Sequence, residues 1–178
     1  MSLDPGSSYA APFELLAACH ERVARSLALL QRLVDHVDAN GVDPTAAAAA
    51  ADVLRYFDLA APLHHEDEER HVFPAVAGDA ALAPVCARLV AEHRAIAAQW
   101  ALLRPLLASA AAALADIDVG ALRTEAAAFV ALHDAHLRTE DELVFPRARQ
   151  NLTPQQRTAM STEMAARRGL TLRCGTTR

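Results

Sequence analysis

The sequence predicts an all-α protein, an antiparallel up-down-up-down four-helix bundle with a short additional C-terminal helix. Three observations carry this. Of the 178 residues 53% are hydrophobic, much of that alanine, with only 6 Gly and 4% aromatic residues, a balance that suits packed helices better than sheet. Apolar residues recur in steps of three and four along four long stretches. Those stretches are separated by short clusters of Asn, Gly, Asp and Pro, and short connections make sequential long helices antiparallel neighbours.

The first stripe runs Phe13, Leu16, His20, Val23, Leu27, Leu30, Val34, Val37, opening near Pro12 and stopping at Asn40-Gly41, a C-terminal signal. A second helix starts at Asp43-Pro44, with Asp43 as N-cap and Pro44 in the first turn, and continues through an alanine run to Phe73. Pro62 is expected to kink it one turn before His64, and Pro74 to end it. The third stripe is Leu82, Val85, Cys86, Leu89, His93, Ile96, Trp100, Leu103, Leu107, with Pro105 bending its last part. After Asp116 to Gly120 a fourth helix carries Leu122, Phe129, Leu132, His136, Glu140, Leu143 and Val144 to about Arg149. Thr153-Pro154 starts a shorter fifth helix ending near Arg168. The expected organisation is an N-terminal extension over 1–11, the bundle over 12–149, and a short helix with a mobile tail over 150–178. Met160 and Met164 equip the fifth helix to dock on the bundle or on a partner subunit of a homodimer.

The chain repeats itself. His64 to Pro74 contains His-x-x-x-Glu followed by Phe-Pro, and so does His136 to Pro146, 72 positions later. His20 answers His93 at an offset of 73. On a helix a gap of four stacks His64 on Glu68, and His136 on Glu140, along one face. The repeat suggests two helical hairpins related by an approximate two-fold. His65 and Glu69 form a competing pair rotated by about 100°, and alignment to Phe-Pro selects His64 and Glu68.

His20 and His93 each replace an apolar residue within a hydrophobic seam. Burying a lone polar group costs a few kcal/mol, and an unpartnered carboxylate considerably more. A core holding His20, His64, Glu68, His93, His136 and Glu140 therefore calls for compensation, which divalent metal binding supplies. Imidazole and carboxylate without thiolate suit iron or manganese better than structural zinc, and four His with two Glu exceed what one tetrahedral ion uses. His133, one turn before His136, is the preferred fifth imidazole; His71, seven residues after His64, reads as a core or rim histidine.

Other features limit the function classes. The balance of 17 Lys and Arg against 22 Asp and Glu gives a net charge of -5, which argues against nucleic acid, normally met by a basic face. Cys19, Cys86 and Cys174 form no CxxC pair, so neither a disulfide framework nor a Cys-based zinc site is indicated. The first residues lack the pattern of a signal peptide and no stretch reaches membrane-span length. A cytoplasmic protein with no membrane partner is the expectation.

On the paired HxxxE with Phe-Pro, plus His20 and His93, the chain over about residues 12 to 149 resembles the hemerythrin-like, or HHE cation-binding, proteins. The resemblance implies a four-helix bundle with two non-haem iron ions, bridged by two carboxylates and an oxo or hydroxo group. Carried over, His20 is the first-helix ligand, His64 and Glu68 the second-helix pair, His93 the third-helix ligand, and His136 and Glu140 the fourth-helix pair. Oxygen-carrying hemerythrins place a second histidine four residues away on the third helix, where this chain has Leu89 and Ala97. Their fourth-helix carboxylate is an aspartate five past its histidine, not a glutamate four past. Both departures point away from dedicated oxygen storage. The implied function is a di-iron centre that binds or reacts with a small oxidant (dioxygen, peroxide or nitric oxide) in sensing, scavenging or iron and stress handling. The alternative is a non-catalytic regulatory or interaction module whose bundle is stabilised by metal.

Overall fold

The computed structural model describes residues 11–114 and 116–170. The expected N-terminal extension and tail lie, apart from Ala11, Gly169 and Leu170, outside the described residues. Four long helices form the bundle: α1 (Pro12–Asn40), α2 (Pro44–Asp67), α4 (Ala83–Ala111) and α5 (Val119–Thr139). Each of α2 and α5 runs into a π-helical turn, Glu68–Val72 and Glu140–Val144, followed by α3 (Phe73–Val76) and α6 (Phe145–Asn151). The chain closes with α7 (Pro154–Arg167). α1 packs on α2 and α5, and α4 packs on the same two, so the four long helices form a closed square.

The helix ends follow from local chemistry. Asp43 accepts a hydrogen bond from the Ala46 N–H at 2.8 Å with Pro44 behind it, and Thr153 forms a capping box with Gln156 ahead of α7. Gly41, at φ 74°, takes the left-handed backbone that lets α1 stop. α2 and α4 run unbroken through Pro62 and Pro105.

The π turns are the departure from a plain helical reading. Pro74 and Pro146 have no N–H, and in a regular helix each ring would meet the carbonyl of the residue four before it. The chain widens by one residue instead, so that the Phe73 N–H bonds the Glu68 carbonyl and the Phe145 N–H bonds the Glu140 carbonyl. The HxxxE–Phe-Pro motif thus encodes a helix, a carboxylate and a bulge together. The short helices that follow the two turns pack together, α3 on α6.

The interior is stratified. One apolar cluster contains Val23, Leu30, Val53, Phe57, Ile96, Leu103, Leu122 and Phe129. A second contains Phe13, Leu16, Phe73, Leu89, Phe145, Met160 and Met164. On α1 His20 falls between Leu16 and Val23, and on α4 His93 falls between Leu89 and Ile96, so a polar layer separates the two clusters. Met160 and Met164 seat α7 on the bundle itself.

Candidate metal centre

His20, His64, Glu68, His93, His136 and Glu140 are all buried, and the bundle brings them together in the polar layer. His64 and Glu68 project inward from α2 and its π turn, His136 and Glu140 from α5 and its π turn, His20 from α1 and His93 from α4. Histidine Nε2 atoms face the two carboxylates at 3.3 to 3.6 Å.

The carboxylate oxygens are divided between two groups. Glu68 turns Oε1 to His20 and His64 and Oε2 to His93. Glu140 turns Oε2 to His20 and Oε1 to His93 and His136. His20, His64, Glu68 and Glu140 offer ligand atoms within 4.8 Å of one another, and so do His65, His93 and His136.

His65 replaces His133 as the fifth imidazole of this layer. His65 follows His64 on α2 and joins His93 and His136, whereas His64 is the histidine of this helix that faces Glu68. Of the two registers, His64 and Glu68 share one group, while of the rival pair His65 enters the other group and Glu69 instead accepts from His93. His65 stacks on His93, centroids 4.0 Å apart and planes 9° from parallel. Its position in the other half is Leu137, part of the rim of the first apolar cluster, so the repeat carried no signal for it. His133 belongs to neither group: its Nδ1 donates to the Phe129 carbonyl at 2.8 Å and its ring packs on Phe129 and Phe57. His71 is half-buried against Glu163 of α7 at 2.6 Å.

Three carboxylates outside the cluster fix the rings. His20 Nδ1 donates to Asp141 at 2.9 Å, His93 Nδ1 to Glu69 at 2.7 Å, and His136 Nδ1 to Glu92 at 2.9 Å. With a proton held there, each ring turns its Nε2 inward. Glu69 and Asp141 each follow an inner glutamate at the same 72-residue offset, a signal the repeat contained and the sequence reading left unused.

The charge state of the layer follows from burial and proximity. Burial pulls His20 and His93 down, but the carboxylates of Asp141, Glu140 and Glu68 outweigh it and lift His20 to about 11, while Glu140, Glu68 and Glu69 lift His93. Burial, reinforced by neighbouring imidazoles, pushes His64 and His65 down and keeps them neutral. Glu68 and Glu140 titrate as a pair: burial and the facing Glu140 push Glu68 up, whereas His20 and His93 hold Glu140 down against burial.

The residues fit a bound cation. The Nε2 atoms of His20, His93 and His136, both nitrogens of His64 and all four oxygens of Glu68 and Glu140 are buried without a hydrogen-bond partner. A native core seldom carries so many unsatisfied polar atoms together, and neutral imidazoles with carboxylates are what a divalent transition metal takes.

The sequence profile of the hemerythrin HHE cation binding domain matches residues 11–148. The chain belongs to this family. Hemerythrin HHE domains are cation-binding, and the buried His/Glu groups are where this member has the donors for it. An uncharacterized protein of Haemophilus influenzae is 31% identical over 159 residues, covering 88% of this chain and 90% of that protein. No helix among the described residues is long and apolar enough to cross a membrane.

Proposed function

We propose that this hemerythrin HHE protein holds two iron ions and uses them to bind or react with a small oxidant: dioxygen, peroxide or nitric oxide. The observation that carries the reading is the division of each glutamate's oxygens between two histidine groups. Two ions would be served by carboxylates whose oxygens face different histidine groups, whereas a single ion would leave one of those groups without a cation. Imidazole and carboxylate donors without thiolate favour iron over structural zinc.

The two groups differ in donor number. His65, His93 and His136 form one group and His20 and His64 the other, the latter together with Glu68 and Glu140, whose second oxygens face His93 and His136. The two-histidine side therefore has the room for an exogenous ligand. When bound, iron supplies Lewis acidity and one-electron chemistry. The chain's own part is to fix the donors and keep water out. Asp141, Glu69 and Glu92 hold the Nδ1 protons, and Leu16, Val23, Leu89, Ile96 and Phe129 cover the layer from both apolar clusters.

The test is anaerobic Fe(II) loading followed by exposure to air, peroxide or nitric oxide. Two iron ions per chain and a new charge-transfer absorption are expected. One iron per chain, or a colourless protein after oxidant, would refute the reading.

A further inference from the structure

Immediately before Glu68 sits a second buried carboxylate. Asp67 is 0% exposed, and it belongs to neither ligand group. It accepts hydrogen bonds from two arginines of the C-terminal segment: Arg167 through Nη2, and Arg168 through Nη2 at 2.6 Å and Nη1 at 3.2 Å. Arg167 also reaches Glu66 at 3.0 Å and Glu163 at 2.7 Å. Glu163 in turn meets His71 at 2.6 Å and Arg70 at 3.4 Å. Glu66, Asp67, Arg70 and His71, four residues within three positions of Glu68, are thus tied to one network centred on α7.

Packing does not account for this. α7 already buries Met160, Met164 and Ala165, and a buried carboxylate contributes little to net stability even when well paired. In the second half the position of Asp67 is taken by Thr139, a neutral residue whose hydroxyl donates to Ala135 of its own helix at 2.7 Å and accepts from Arg88 of α4 at 3.4 Å. What the network does is restrain a π turn, a less regular backbone than the α-helix, at the residue before a shared carboxylate.

We propose that Asp67 is a positioning residue for the metal centre, held by Arg167 and Arg168, so that α7 is coupled to metal binding. The proposal rests on the metal-binding reading of the site. If the clamp orients Glu68 for the ion, the ion must tighten the clamp by the same factor, since coupling between two sites is reciprocal.

The experiment uses the full chain and Co(II) as probe, titrated anaerobically against a competing chelator, with hydrogen exchange followed over residues 154–167. Asp67→Asn and the double change Arg167→Gln/Arg168→Gln are expected to weaken Co(II) binding on the order of tenfold, the scale of outer partners to metal ligands. The ligand-field bands should shift as well, and Arg167→Lys should restore part of the affinity. In the wild type Co(II) should slow exchange in 154–167, and in the variants it should not. Should Asp67→Asn fail to fold, the arginine variants, altered at half-buried rather than fully buried positions, carry the test. Full-strength Co(II) binding by the folded variants, or exchange in 154–167 indifferent to Co(II), would overturn the clamp alone. Absence of binding by the wild type would overturn the metal reading and the clamp with it.

Discussion

Replacing Glu68 by methionine should reverse the order of stability between metal-free and metal-loaded protein. Glu68 is 0% exposed and neither of its carboxylate oxygens has a hydrogen-bond partner. Burial and the facing Glu140 push its pKa up, so in the metal-free protein the group is an electrostatic burden. Glu140, Asp141 and Glu69 still face His20 and His93 in the variant, so exchanging this unpartnered buried carboxyl for an apolar group relieves a desolvation penalty of about 1 to 3 kcal/mol where packing is kept, and an unbranched thioether adapts readily. At ~2 to 4 °C per kcal/mol for a chain of this size, metal-free Glu68→Met should melt several degrees above metal-free wild type. Loading acts the other way. Metal at a thousand times its dissociation constant adds about 4 kcal/mol to the wild type, which outweighs the gain from methionine, and the variant, lacking a bridging donor, should forgo most of it. Thermal melts by circular dichroism, in chelator and in anaerobic Fe(II), read both signs. A Glu68→Met protein that melts below wild type in chelator, or that gains as much from Fe(II), would refute the argument that this layer is built for a cation at the expense of the empty bundle.

His65→Ala should reduce bound iron from two per chain to about one, while His133→Ala should leave two; elemental analysis after Fe(II) loading distinguishes them. Phe129→Ala removes a fully buried ring and should cost about 3 to 5 kcal/mol, seen in urea melts. Glu163→Gln should destabilise in a pH-dependent way. Burial raises the Glu163 pKa, but Arg167 and His71 outweigh it and hold it at about 2 against an ordinary 4.5. A depressed folded value contributes stability that is full above pH 4.5 and lost as pH falls through 2. The difference between wild type and variant, under about 1 kcal/mol for a group this exposed, should therefore be present at pH 6 and close between pH 4.5 and 2.

The bundle was legible because each long helix carries an uninterrupted apolar stripe and recognisable ends, Asp43-Pro44 and Asn40-Gly41 among them. The layer of His20, His64, Glu68, His93, His136 and Glu140 was legible because these residues interrupt the stripes at one repeat distance. His65 escaped because repeat logic finds only what both halves share, and Leu137 stands in its place. The bias toward His133 came from helical spacing alone, which cannot see that Phe129 offers a carbonyl one turn back. The π turns were foreshadowed by Phe-Pro, although a proline reads equally as a stop. Asp67 gave no warning, since its partners lie about a hundred positions away, at the end of α7 and just beyond it.

The sandwich of apolar, polar and apolar strata gives the molecule a waist. Oily contacts act within each lobe, yet across the middle the lobes are joined by backbone and by a few ring and carboxylate contacts whose inward donor atoms stay unpaired until a cation stitches them. Without that stitch the girdle is a natural fracture plane, and the smaller lobe, with Phe13, Phe73, Phe145 and Met164, is the part expected to loosen first. Filling the waist would then do more than create a reactive spot: it would turn two loosely tied halves into one cooperative body.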